Sequence, residues 1–295
     1  MSCECNGKIV QILFIRHGFS CANALKHFYP VSGLFARVTQ GEPPLTLKGV
    51  KDTIRARDSI PEEFKNPDIV LSSVLIRAMQ TAHFLYPDKN VYVAPYIREI
   101  DFGNSNRARP PTEQTNEIAM QNYYLMKRGI IPYEERKFRP NYRFVVRSSG
   151  YGMKWEDAQE INYDKFIFWI EKSLPELLRM EKSDVINKNK IVIAVVGHSS
   201  FMQKYIHSVK HDKPDNVGMV ELNFCYKRYK EIYKGEYIYR YSLRKLKCEN
   251  CKHIHSLRKV DVSKKPGCDG VIFHGFQVPD KKLFLQQKGD SNCNF

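Results

Sequence analysis

The hydrophobic pattern opens on Lys8–Ile15, where Ile, Val, Leu and Phe crowd together and stop at Arg16-His17-Gly18. A short run of this kind, rich in β-branched residues, predicts a strand buried on both faces. Asp68–Ser72, Asn90–Ala94, Lys190–Gly197 (KIVIAVVG) and Met219–Phe224 repeat the pattern. Between them lie helical signals. Ser20 is placed to cap a helix, and Thr46 precedes Leu47, Val50 and Ile54 on one face. Leu75–Leu85 and Ser199–Val209 predict further helices, and Glu156–Met180 a long amphipathic one interrupted near Pro175. Strands alternating with helices predict an α/β three-layer sandwich: a mostly parallel sheet with helices on both faces. Ligands of such sheets bind at the carboxyl ends of the strands.

Two stretches depart from this alternation. Residues 103–154 lack periodicity and contain Pro110, Pro111, Pro132 and Pro140, which predicts loops with short helices forming a cap over a binding site. Residues 225–295 alternate aromatic and basic residues from Tyr226 to Tyr241 and predict extra strands followed by a Cys- and Lys-containing segment. The chain thus divides into a domain of residues 1–224, carrying the cap insert 103–154, and a C-terminal extension of residues 225–295.

Charge follows the same division. The formal net charge is +15, but residues 1–102 and 155–224 together are neutral, the insert carries +6 and the extension +9. A hydrophobic content of 42%, with 12% aromatic residues, excludes a disordered chain. No apolar run approaches the roughly 18–20 residues of a membrane span, and the N-terminus shows no leader pattern. A cytoplasmic protein is expected, with its eight cysteines as thiols or metal ligands rather than disulfides. Cys21 fits a small residue of the first helix, and Cys3, Cys5 and Cys293 look incidental. Cys248-x-x-Cys251 with His253, His255 and Cys268 begins a zinc-like pattern but lacks the second ligand pair, so no metal is expected.

The candidate chemistry sits at the strand ends. They carry Arg16-His17-Gly18-Phe19-Ser20 with Asn23, then Ser73 with Arg77, then Arg98-Glu99, then His198-Ser199. Two histidines, two arginines and a carboxylate in one cleft suit phosphoryl transfer. A neutral imidazole attacks phosphorus, guanidinium groups match phosphate oxygens, and a carboxylic acid protonates the leaving alkoxide.

The motifs R-H-G-x-S-x-x-N, S-x-L-x-R-A-x-Q-T-A, E-I-x-F-G and G-H-S occur in this order and resemble the histidine phosphatase superfamily, in its phosphoglycerate-mutase-like branch. Pro44-Leu45-Thr46-x-x-Gly49 resembles a further signature, with Glu42 where Asp is more usual, and Phe19 replaces the customary Glu or Gln. The resemblance implies His17 as the phosphorylated nucleophile. It implies Arg16, Arg77 and His198 as the phosphoryl clamp, Ser20 and Asn23 as pocket lining, and Glu99 as proton donor, with Asp101 as the nearby rival. Arg107, Arg109, Arg143 and Arg147 of the insert are candidates for further substrate contacts.

Phosphomonoester hydrolysis through a phosphohistidine is the expected activity, on a small phosphorylated and polyanionic substrate, without a cofactor. The alternative is mutase-type transfer, because Glu99 and His198 stand 99 positions apart, a long middle segment of the mutase kind. The insert nevertheless lacks an ordered Lys and paired-Arg pattern for a bisphosphorylated sugar acid. A further alternative is a polyanion- or nucleic-acid-binding protein using the basic extension. A strand with one aromatic and one solvated basic face accounts for that extension better.

Overall fold

The computed structural model describes residue 5 and residues 7–28, 41–100, 103–145, 153–181, 188–206, 214–233, 236–245 and 271–274. The elements run β1 (Lys8–Arg16), α1 (Cys21–Phe28), α2 (Leu47–Ala56), β2 (Ile69–Ser73), α3 (Ile76–Leu85), β3 (Val91–Ala94), α4 (Pro111–Lys127) and α5 (Trp155–Ala158). They continue with α6 (Tyr163–Glu181), β4 (Lys190–Gly197), α7 (Ser199–Phe201, extended by a wider π turn, Met202–Ile206), β5 (Met219–Tyr233), β6 (Glu236–Lys245) and β7 (Val271–His274).

The strands form one sheet in the order β3-β2-β4-β1-β5-β6, with β7 also on β5. β1 to β4 are mutually parallel, β5 opposes β1, and β6 and β7 oppose β5. Among the described strands, β5 alone therefore runs against the rest, and the sheet is mostly parallel as predicted. Alternation along β1 and β4 builds the two faces. Val10, Ile12, Phe14, Ile193 and Val195 pack with Phe166, Ile170 and Leu174 of α6 on one side. Leu13, Ile15, Ala194 and Val196 pack with Ile76 and Met79 of α3 on the other. The three-layer expectation holds.

Three local readings differ. The insert contains a 17-residue helix, α4, rather than only short ones. The helix predicted over Glu156–Met180 breaks at residues 159–162, not at Pro175, which lies inside α6. Asn162 explains the restart, because its side chain accepts from the Lys165 N–H. The boundary drawn after residue 224 falls inside the continuous β5, and Leu243 of β6 is buried in the main core.

The cysteine expectation is also corrected. Cys5 is disulfide-bonded to Cys225, and Cys21 is disulfide-bonded as well. The register that sets Ile9 opposite Cys225 brings the segment before β1 against β5, which puts the two sulfurs within reach. Disulfides persist in oxidising surroundings, so the bridge gives no support to a cytoplasmic location. No helix among the described residues is long and apolar enough to cross a membrane. Cys248, Cys251, His253, His255, Cys268, Asp101 and Arg147 lie outside the described residues.

Candidate active site

Parallel strands deliver their carboxyl ends to one edge, and β1, β2 and β4 bring Arg16, His17, Ser73 and His198 there. The turn after β1 is fixed by residues of several other segments. The His17 N–H donates to the Gly197 carbonyl (3.0 Å), and Asn216 Nδ2 donates to the His17 carbonyl (2.9 Å). The Gly18 N–H donates to Thr81 Oγ1 (2.9 Å), and the Thr46 N–H to the Phe19 carbonyl (3.0 Å). A Cβ on Gly49 would lie 2.0 Å from that Phe19 oxygen, so glycine is what lets α2 press against the turn. Ser20, at the end of this turn, is braced by Asn23 in the first turn of α1: the Ser20 N–H and hydroxyl both donate to Asn23 Oδ1, at 3.1 and 3.0 Å.

His17 and His198 are buried, with ring centroids 5.1 Å apart. His17 Nδ1 lies 2.6 Å from the Gly18 carbonyl, which can only accept, so Nδ1 carries the proton. Burial first, then the fields of Arg77 and Arg16, hold the His17 pKa well below its ordinary value, against the Gly18 hydrogen bond. The ring is therefore neutral at physiological pH, with its lone pair on Nε2. Burial, Arg77, His17, Arg16 and Arg98 likewise depress His198. Its Nε2 lies 2.8 Å from Ser73 Oγ, while its buried Nδ1 meets no partner among the described residues. A phosphoryl oxygen would satisfy that nitrogen.

The arginines donate to neutral oxygens of several segments. Arg77 donates from Nη1 to the Ser105 carbonyl (2.9 Å) and from Nη2 to Asn106 Oδ1 (2.6 Å). Arg16 donates to the Pro214 carbonyl (2.7 Å). Arg98 donates from Nε to the Gln159 carbonyl (2.8 Å) and from Nη1 to the Asn106 carbonyl. Burial lowers the Arg16 pKa against the opposing pull of Glu99 and Asp215. Glu99 is buried, and a carboxylate oxygen accepts from the Ile100 N–H (3.0 Å). Ligand atoms of His17, Glu99 and His198 lie within 4.8 Å of one another. That spacing could accommodate a cation, but the guanidinium groups of Arg16 and Arg77 beside it favour an anion.

The insert arginines are placed differently. Arg109 lies 3.9 Å from carboxylate oxygens of both Glu42 and Glu117, and Arg143 pairs with Glu176 at 3.1 Å. Arg107 is exposed.

A family model for the histidine phosphatase superfamily (branch 1) matches residues 12–128, which include Arg16, His17, Arg77 and Glu99. Over residues 12–128 the chain is similar to that superfamily. His198 lies beyond the match, and the β4 register brings it to His17. Similar solved structures include a mutant phosphoserine phosphatase from Entamoeba histolytica (21% identity, 78% of this chain and 94% of that one, TM-score 0.34). A phosphoglycerate mutase from Bacillus anthracis (14%, 81% and 93%, 0.39) and an α-ribazole phosphatase from Shigella flexneri (16%, 80% and 95%, 0.36) are also similar. No curated protein sequence matches the chain.

Sequence reasoning passed over the residues that hold the clamp. Ser105, Asn106 and Gln159 belong to none of the four strand-end motifs. Arg98 stands next to Glu99, but nothing in its neighbours signals that it braces the Asn106 carbonyl. Glu42 is buried and accepts from the Ile76 N–H at the start of α3, the Arg109 N–H (3.0 Å) and the Gln114 amide (2.7 and 2.8 Å). It thereby ties the insert to the helix that carries Arg77.

Proposed function

We propose that the protein hydrolyses a phosphomonoester through a phosphohistidine on His17. The observation that carries this reading is the His17 ring itself: a buried, neutral imidazole whose Nδ1–H is committed to the Gly18 carbonyl, which leaves Nε2 free to attack, and whose ring lies beside His198 in the field of Arg77 and Arg16. Nε2 attacks phosphorus as the ester P–O bond breaks, and Glu99 in its protonated form gives its proton to the departing alkoxide. The Glu99 carboxylate then takes a proton from water. The water oxygen attacks phosphorus, the P–N bond breaks, and inorganic phosphate leaves. Arg16, Arg77 and His198 hold the phosphoryl oxygens through both steps.

Hydrolysis is favoured over mutase-type transfer because Arg109 and Arg143 face carboxylates, which leaves them poorly suited to gripping a second phosphate. The same pairings favour a substrate with one phosphate. Acid-quench trapping with a 32P-labelled substrate should give an acid-labile, base-stable adduct that disappears in His17→Ala. Label persisting in that variant means the nucleophile lies elsewhere. With 3-phosphoglycerate, free phosphate is the expected product, and 2-phosphoglycerate without matching phosphate release would establish transfer instead.

A further inference from the structure

The insert helix α4 has two stripes. Gln114, Ile118, Asn122 and Leu125 are buried against the domain. On another side Met120, Tyr123, Tyr124 and Lys127 recur at i, i+3, i+4 and i+7, the spacing of a single helix face. The three apolar members are 61%, 50% and 56% exposed. Tyr133, on the adjacent turn that folds back against α4, is 51% exposed. Among the described residues, large exposed apolar side chains are these four and Phe168.

Cations accompany the rings. Lys127 lies 5.5 Å from the centroid of Tyr123, Arg128 5.4 Å from Tyr124, and Arg136 3.6 Å from Tyr133, with Lys137 5.6 Å from the same ring. The stripe turns Met and Tyr side chains to solvent among Lys127, Arg128, Arg136 and Lys137, with Glu113 and Glu134 as the exposed acids of the same segment. At a membrane interface phenol rings sit at headgroup depth, and cations meet lipid phosphates. Side chains half or more exposed along a helix stand out from the surface rather than lining a cleft, which suits a flat partner better than a single nucleic-acid strand seated in a groove. We infer that the outer face of α4 and the following turn dock the protein onto a bilayer carrying anionic headgroups.

The test is flotation of the full chain with phosphatidylcholine vesicles, with and without about one third phosphatidylserine. Binding is expected only with phosphatidylserine. The triple variant Tyr123→Ser/Tyr124→Ser/Tyr133→Ser keeps every charge, so it separates this face from the basic extension, and it should weaken binding at least tenfold. Lys127→Glu/Arg128→Glu should do the same. Phe168→Ser removes an exposed ring that also carries a nearby lysine, Lys172 at 4.9 Å, but lies on α6, so it should leave binding unchanged. Circular dichroism and melting establish that each variant is folded. No binding by the parent chain, full binding by the folded triple variant, or equal loss in Phe168→Ser would each overturn the inference. So would a labelled single-stranded oligonucleotide that depends on these tyrosines while the vesicles do not.

Discussion

Asn106 offers the sharpest test of how the site is assembled, because it contacts Arg77 and is absent from every recognisable motif. Its Oδ1 accepts from Arg77 Nη2 at 2.6 Å in a buried setting, and its carbonyl accepts from Arg98. Asn106→Ala removes the first contact while the Ser105 carbonyl still holds Nη1. A hydrogen bond to a charged group contributes about 1.5–3 kcal/mol. If the fixed guanidinium matters chiefly to the transition state, that becomes a fall of roughly 10- to 150-fold in kcat/KM. The loss should appear in kcat more than KM for p-nitrophenyl phosphate, with weaker vanadate inhibition. Asn106→Asp provides the electrostatic counterpart. It keeps an acceptor but sets a negative charge beside Arg77, whose field helps depress the His17 pKa. The His17 pKa should therefore rise, and the acid limb of the kcat/KM profile should move to higher pH. A folded Asn106→Ala within about twofold of the parent, or an unmoved acid limb in Asn106→Asp, would refute the view that this side chain sets the clamp.

Two predictions concern stability. Burial pushes His83 down to about 4, against its hydrogen bond to the Glu135 carbonyl; the unfolded chain takes up the proton near 6.5, so stability present above 6.5 is lost as pH falls toward 4, by about 3 kcal/mol at about 1.36 kcal/mol per pH unit. Urea titrations from pH 7.5 to 4.5 should show a shallower slope of stability against pH in His83→Gln, and identical slopes would count against the assignment. Glu42→Gln should cost about 1–3 kcal/mol, because each carboxylate oxygen accepts from two N–H donors and an amide NH2 at either position would face a donor. An unchanged urea midpoint would show that Glu42 does not bind the insert to α3.

The strand-end chemistry was legible because it depends on local hydrophobic runs and on a property of parallel sheets: consecutive strands present their carboxyl ends on one side. The four segments that meet at the site needed no knowledge of side-chain packing. α4 was not legible, because half of its buried stripe is polar, Gln114 and Asn122 beside Ile118 and Leu125, while Met120, Tyr123 and Tyr124 face solvent. Periodicity registers hydrophobicity, and here it has almost the same strength on both sides. Pro111 added to the misreading, although the start of a helix accommodates proline well. The pairings of Arg143 with Glu176 and of Cys5 with Cys225 span 33 and 220 residues. Such partners depend on the completed fold and leave no local trace.

The same long-range pairings bear on what the positive charge does. Around His17, Arg16, Arg77 and Arg98 are oriented by the Pro214, Ser105, Asn106 and Gln159 carbonyls and by the Asn106 amide oxygen. Such acceptors orient a guanidinium without cancelling its charge; Glu99 offsets part of the charge of Arg16 and Arg98, and Asp215 part of that of Arg16, while the field of Arg77 and Arg16 still depresses both histidines. Farther out, Arg57, Arg109 and Arg143 meet Glu135, Glu42 and Glu176, which offset their charge where they stand. The +6 of the insert therefore does not act as one field over the pocket. Part of it is absorbed in holding the insert to the domain, and Lys127, Arg128, Arg136 and Lys137 lie beside exposed tyrosines of α4 and its following turn. A net charge that sequence alone would assign to the substrate is thus divided by the fold between a clamp of local arginines, structural ion pairs and an outward-facing surface.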